Sequence, residues 1–220
     1  MKNYLDLKDK NIDEEKILDK NVDKKLKDIS LLIKKGGIVV FPTETVYAIG
    51  TNGLDKDAIE KLYKVKKRPK NKPISLLVCD IKMIKNLVED INEIEYKLIK
   101  NFFPGPLTLI LKKKKIVPDI LTSNGDYVGI RMPENKIALK LIKYSRLPIA
   151  APSANISGNR SGIDINNIMN EFGNDVDYYI DGGISKLGIG STIVKVVDGK
   201  VEILRQGSIT KEDINKVLNM

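Results

Sequence analysis

"GGIVVFPTETVYAIG" spans residues 36–50 and frames the fold. Gly36 and Gly37 stop any helix that precedes them. Ile38, Val39, Val40 and Phe41 then form an unbroken apolar run, which predicts a buried strand. Pro42 ends that strand, because proline has no N–H to give to a ladder. Thr43, Glu44 and Thr45 follow at once, three hydrogen-bonding side chains just beyond a strand end, where α/β proteins bind ligands. An exposed loop with a helix cap is the other reading of the same residues.

Upstream, "VDKKLKDISLLIKK" (22–35) places Val22, Leu26, Ile29 and Ile33 at helical spacing. Downstream, residues 55–66 open on an Asp cap and put Ile59, Leu62 and Tyr63 on one face of a second helix. Further strands are expected at 74–78, 107–111, 127–131, 147–151, 178–180, 191–197 and 201–205. The last two are joined by the hairpin signal Asp198-Gly199. Helices are expected over about 80–89, 92–102, 136–145 and 210–218. The alternation is not a regular βαβ series, so the expected architecture is a mixed α/β sheet with helices.

The chain has 220 residues, no repeat and no low-complexity linker, which fits one α/β unit. No apolar run approaches the roughly 20 residues that span a bilayer. The first residues, "MKNYLDLKDKNIDEEK", lack an apolar signal-peptide core, and the single cysteine, Cys79, forms no internal disulfide. A cytoplasmic location without membrane contact is expected. The sequon Asn155-Ile156-Ser157 then has no glycosylation role.

Formal charge is +9, which suits either a polyanionic partner or plain solubility. Histidine is absent, which excludes His bases, His-metal sites and Ser-His-Asp chemistry. An enzyme built from this sequence works with Lys, Arg, carboxylates, hydroxyls, backbone dipoles or an oxygen-held metal.

Two further stretches stand out. "KVKKRPKNKP" (64–73) carries six cations at a helix C-terminus, where they complement the dipole. Pro69 and Pro73 also stiffen the tail, so Arg68 and Lys72 suit phosphate oxygens. "PIAAPSANISGNRSG" (148–162) sets Ser153 and Asn155 two residues apart, facing one way in extended chain. Its small residues Ala150, Ala151, Ala154 and Gly158 allow a flat ligand close to the backbone. The glycine-rich "DGGISKLGIGSTIVKV" (181–196) is neither a P-loop nor a dinucleotide fingerprint, because a strand follows it. "KKKK" (112–115) reads as a solvated loop or a weak nucleic-acid contact.

Taken in order, "GGIVVFPTETVY", "YKVKKRP", "FFPGPLTLIL", "VGIRMP", "PIAAPSANISG", "GST" and "ILRQG" closely resemble the YrdC-like family of threonylcarbamoyl-AMP synthases. The resemblance covers about residues 25–210. Lys66-x-Arg68 and Ser153-x-Asn155 are its most specific marks. It implies the short, single-domain form: an N-terminal strand or extension at 1–24, the catalytic domain at 25–210, and a C-terminal helix of the same domain at 211–220. The implied fold is an open, twisted mixed sheet with flanking helices and a large basic concave cavity.

The implied reaction joins L-threonine, bicarbonate or CO2, and ATP into threonylcarbamoyl-AMP, releasing pyrophosphate, with Mg²⁺ held mainly by the ATP phosphates. A threonylcarbamoyl transferase machinery then modifies the adenosine beside the tRNA anticodon. By motif, Lys66, Arg68, Ser153 and Asn155 are the catalytic candidates. Arg68, Lys72, Tyr127 (through its backbone), Ser153, Asn155, Ser161 and Arg205 would bind ATP. Thr45, Arg131, Ala151 (through its backbone) and Ser191 would bind L-threonine. The chain departs from the family in Tyr47-Ala48-Ile49-Gly50, where Tyr-Gly-Leu-Gly is usual. It also has Leu77, Cys79 and Asn135 in regions where many relatives carry histidine. The alternative is a protein of the same fold that binds tRNA or double-stranded RNA without catalysis, which +9 also suits.

Overall fold

The computed structural model describes residues 3–8 and 19–219. In chain order they form β1 (Tyr4–Asp6), α1 (Lys20–Lys34), β2 (Val39–Phe41), β3 (Ala48–Asn52), α2 (Lys56–Val65) and β4 (Leu76–Leu77). Then come α3 (Ile81–Leu87), α4 (Glu93–Phe102), β5 (Leu107–Lys112), β6 (Tyr127–Arg131), α5 (Lys136–Ser145) and β7 (Ile149–Ala150). The chain ends with α6 (Ile165–Phe172), β8 (Tyr178–Asp181), β9 (Thr192–Val197), β10 (Lys200–Arg205) and α7 (Lys211–Leu218).

The strands join in one open mixed sheet, in the order β1-β8-β2-β3-β7-β4-β6-β5-β9-β10. Parallel pairs (β1 with β8, β2 with β8, β4 with β6, β5 with β9) mix with antiparallel ones throughout. β2 shows why helices cover both faces. Val39 and Phe41 pack with Leu26 and Ile33 of α1 and Leu141 of α5. Ile38 and Val40 pack on the other side with Leu62 of α2, Leu98 of α4 and Ile168 of α6. Alternate residues of a strand point to opposite faces, so a continuous apolar run requires cover on both.

Local chemistry sets the element ends. Asp19, Asp55, Asp80, Asn92, Asn135, Asp164 and Thr210 cap the seven helices, each side chain accepting from backbone N–H groups of the first turn. The β9–β10 hairpin turns on Asp198 and Gly199, both at positive φ (49° and 74°), as the sequence signal requires. Two elements lack a clear signal in the sequence. β3 is Ala-Ile-Gly-Thr-Asn, poor in β-formers, and is a strand because β2 and β7 flank it and bury all five residues. α6 follows the Pro148–Gly162 stretch closely and is held by the burial of Ile165, Ile168 and Phe172.

Within the N-terminal extension, Tyr4–Asp6 pairs in parallel with β8, α1 starts at Lys20, and residues 9–18 lie outside the described residues. Among the described residues, no helix is long and apolar enough to cross a membrane.

The turn after β10 is knotted by Thr192. Its Oγ1 accepts from the N–H groups of Gly207 and Ile209 at 3.0 Å and donates to the Ile209 carbonyl at 2.8 Å. A Cβ on Gly207 would sit 2.4 Å from the Gly190 carbonyl oxygen and from the Thr192 nitrogen, both backbone atoms. Gly207→Ala is therefore expected to destabilise the protein by about 1–3 kcal/mol, as overpacking does. A lowered urea midpoint checks this, and an unchanged midpoint contradicts it.

Candidate active site

The Pro148–Gly162 stretch leaves β7 and is stitched to its surroundings by backbone bonds. Ala151 N donates to Ser75 O (3.1 Å), Ile49 N to Pro152 O (3.0 Å), Ala154 N to Tyr47 O (2.7 Å) and Tyr47 N to Gly162 O (3.0 Å). Gly162 is required by close approach, since a Cβ there would lie 2.4 Å from the Ile168 side chain and 2.8 Å from the Ala154 carbonyl. Glu171 of α6 braces the far side, accepting from Ile156 N at 2.9 Å and Asn159 Nδ2 at 2.5 Å.

Under this loop lies Lys66, just past the end of α2 and only 1% exposed. Its Nζ donates short hydrogen bonds to the carbonyls of Ser153 and Asn155, and its own carbonyl accepts from Ser157 N at 3.0 Å. Burial, helped by the Arg68 charge and opposed by Glu171, pulls the Lys66 amine down to about 7. A neutral amine keeps two N–H groups, so both carbonyls stay satisfied in either protonation state. Ser153 Oγ donates to Asn155 Oδ1 (2.6 Å), and Asn155 Nδ2 donates to the carbonyls of Ile156 and Asn159 (2.9 and 3.0 Å).

Beside the loop is a cavity of about 150 Å³, walled by Thr45, Arg68, Ser75, Leu77, Thr108, Arg131, Ala151, Ser153, Ser161, Ser191 and Arg205, among others. Arg68 is fixed by donating to two carbonyls, Nε to Lys72 (2.9 Å) and Nη2 to Pro73 (2.9 Å). Arg205 donates through Nη2 to the Ser191 carbonyl at 2.7 Å and to Ser191 Oγ at 3.2 Å, while Ser191 and Thr108 share a 2.7 Å hydroxyl contact. Arg131 donates to Thr45 Oγ1 at 2.8 Å and to Gly105 O at 3.3 Å, and its Nη2 lies 2.8 Å from Glu44 Oε1. Burial lowers the Arg205 and Arg68 guanidinium values, and for Arg205 the charges of Arg131 and Arg68 lower it further. Arginine nevertheless stays protonated near neutrality. Three guanidinium groups thus face one cavity with a single carboxylate among their partners, an arrangement suited to an anion.

Of the residues singled out from sequence, Thr45, Arg68, Arg131, Ala151, Ser153, Ser161, Ser191 and Arg205 meet at this cavity. Four do not line it. Lys66 and Asn155 are buried beneath Ser153 and position the loop. Lys72 is exposed and contributes its carbonyl, which orients Arg68. Tyr127 opens β6, the strand that Arg131 ends, and is 44% exposed with the Lys195 ammonium 3.7 Å from its ring centre. Ala150 and Ala154 are fully buried in the core, so of the alanines only Ala151 approaches the cavity. The space is also divided: a second cavity of about 410 Å³ lies on the other side of Glu44 and contains acids as well as lysines.

Ser75, Thr108 and Glu171 were missed as site residues, and Glu44, marked at the strand end, was given no role toward Arg131. Ser75 and Thr108 sit in strand-like segments whose apolar pattern hides them, and Glu171 lies on the unforeseen α6. The Lys112–Lys115 run is partly structural: Lys113 donates to Asp119 (2.7 Å) and the Val117 carbonyl, and Lys114 to the Lys85 carbonyl (2.7 Å). Its reading as a solvated loop is corrected for those two residues. Cys79 is half-buried, and burial beside Asp80 pushes its thiol up to about 11, which disfavours the reactive thiolate.

Lys66→Met keeps the side-chain length and leaves the Ser153 and Asn155 carbonyls without donors. It is expected to cost about 1–3 kcal/mol per orphaned acceptor. Between pH 7 and the ordinary lysine value of 10.5, the unfolded chain holds the Lys66 proton and the folded one releases it. Stability should therefore rise with pH across that window, and the rise should shrink in Lys66→Met. Denaturant melts of both proteins at several pH values check this; parallel pH profiles would contradict it.

The Sua5/YciO/YrdC family model, described as "Telomere recombination", matches residues 31–207. A threonylcarbamoyl-AMP synthase of Pyrococcus abyssi is 40% identical over 186 residues, covering 84% of this chain and 55% of that protein. A putative threonylcarbamoyl-AMP synthase of Methanocaldococcus jannaschii is 40% identical over 200 residues, covering 88% of this chain and 92% of the relative. The structure of Pyrococcus abyssi Sua5 complexed with L-threonine superposes with a TM-score of 0.89 at 36% identity, over 99% of this chain and 61% of that one. The chain thus spans 55–61% of the length of its Pyrococcus abyssi matches. With a family model matched over most of its length and the same fold, the chain belongs to the Sua5/YciO/YrdC family.

Proposed function

We propose that the protein is an L-threonylcarbamoyladenylate synthase, a nucleotidyltransferase that acts on ATP, L-threonine and bicarbonate or CO2. The observation that carries this reading is the convergence of Arg68, Arg131 and Arg205 on one cavity that also presents Thr45, Ser153, Ser161 and Ser191. The threonine amine adds to CO2 and loses a proton, giving a carbamate anion; with bicarbonate, water is lost as well. A carbamate oxygen then bonds to the α-phosphorus of ATP, and the bond from that phosphorus to the bridging oxygen breaks, releasing pyrophosphate. No side-chain nucleophile is needed, which suits a chain without histidine. The site has to align an anion with a polyanion and neutralise both.

In this reading Arg68 and Arg205 take the phosphates, with Ser153 and Ser161 beside the nucleotide. Arg131, held by Thr45 and Glu44, takes the amino-acid carboxylate as a charge-assisted pair. Lys66 and Asn155 act as positioning residues, because both hold Ser153 from below. Leu77 gives an apolar wall where a ligand methyl can rest. Among the described residues, no three His, Cys, Asp or Glu side chains gather into a metal site. The donor set does not by itself fit Mg²⁺, and we infer that any Mg²⁺ enters on the triphosphate oxygens. The adenylate is consumed by a transferase that carries the threonylcarbamoyl group to tRNA.

The test incubates pure protein with ATP, Mg²⁺, bicarbonate and radiolabelled L-threonine in the presence of pyrophosphatase. Labelled adenylate and phosphate are expected; absence of both overturns the proposal. Arg68→Ala is expected to lower the rate by about 100-fold or more, as loss of a preorganised charge at a transferring phosphoryl group does. A normal turnover rate would reject its phosphate role.

A further inference from the structure

None of the side chains assigned above to a substrate lines the larger cavity. It lies where β2 and β8 end and α5 begins, and Glu44 and Ser185 are among the residues that line it. Glu44 is 6% exposed; its Oε1 is paired with Arg131 Nη2 at 2.8 Å, while its Oε2 has no hydrogen-bond partner among the described residues. Ser185 is 7% exposed, and its Oγ also has no hydrogen-bond partner among the described residues. Buried polar atoms in native proteins are nearly always satisfied, and two such groups on one cavity wall point to a ligand that donates hydrogen bonds.

The rest of the lining narrows its chemistry. Lys186 stands on the same wall as Glu44 and Glu134, so the cavity presents both signs of charge and suits a molecule that carries both over a simple amine. Lys8 is committed to Asp181 at 2.9 Å, whereas Lys186 is exposed in the loop after β8. Leu7, Ile137 and Ile184 supply apolar wall, and Ile184 is 72% exposed at the mouth. A cleft of about 410 Å³ with mixed polar and apolar walls is of a size that holds a small molecule.

We propose that this cavity is a second site, separate from the reaction cavity, for a free α-amino acid with an apolar side chain. Its ammonium is held by Glu44 and Ser185, its carboxylate by Lys186, and its side chain by Leu7, Ile137 and Ile184. Glu44 and Thr45 are adjacent, and the Glu44–Arg131 pair stands between the two cavities. An ammonium on Glu44 would thus draw on the same carboxylate that orients Arg131, which couples the second site to the first.

Calorimetric titration of the full chain with L-leucine tests this without turnover, so it stands or falls independently of adenylate synthesis. One leucine per chain is expected. Lys186→Glu on the surface, and Ser185→Phe filling the cavity, should each weaken binding by roughly tenfold or more, the scale of a charge-assisted contact. Arg68→Ala, in the other cavity, should leave leucine binding intact. Absence of leucine binding at millimolar concentration, loss of binding in Arg68→Ala, or wild-type affinity in Lys186→Glu would each overturn the proposal. The surface variant keeps the test valid if Ser185→Phe fails to fold.

Discussion

The Lys66 amine, buried under the Ser153–Asn155 segment and bonded to both of its carbonyls, is the contact on which the site depends. Two loop carbonyls turned inward against a helix end need donors from within the protein. Lysine is the residue that can supply several donors from a flexible stem, and α2 delivers it at its C-terminal end. The same helix end leads two residues on to Arg68, so one turn of chain sets both the floor of the site and one of its cations. The Lys66-x-Arg68 spacing thus joins a structural role to an electrostatic one, and only the second is exposed to a ligand.

The electrostatics of the reaction cavity rest on fixed, under-neutralised charge. Arg68 and Arg205 are aimed by backbone carbonyls, which orient a guanidinium without cancelling its charge. Arg131 is different, since Glu44 neutralises part of its field while Thr45 fixes its plane. Bringing three guanidinium groups together is unfavourable without an anion, and burial makes it more so. The fold sustains it because each arginine hangs from a different, well-packed element: the end of α2, the end of β6 and the end of β10. The site therefore holds a standing preference for negative charge, as the overall +9 suggested in a less specific way.

Much of this was legible in the chain. The six helices expected at 22–35, 55–66, 80–89, 92–102, 136–145 and 210–218, the buried β2 run and the Asp198-Gly199 hairpin were readable because their signals are local. β3 and α6 were not, since β3 is a strand through burial between its neighbours and α6 through the face it packs. Eight cavity residues were found through motif order. Lys66, Lys72, Asn155 and Tyr127 carried the same motif weight but lie beneath, beside or away from the cavity. A linear spacing records that residues belong to one motif, and it does not record on which side of a loop each side chain falls.

The sequence by itself determined the mixed α/β class, the element chemistry, the exclusion of histidine-based catalysis and the set of motifs from which a site is drawn. Those follow from backbone sterics, periodicity and side-chain inventory, all of them properties of neighbouring residues. Only the tertiary structure decided that Lys66 and Asn155 face inward, that Glu44 stands between two cavities, and that three arginines separated by up to 137 positions in the chain share one space. The physical reason is that burial and charge pairing depend on distances in space, and strand order, which the chain does not spell out locally, sets those distances.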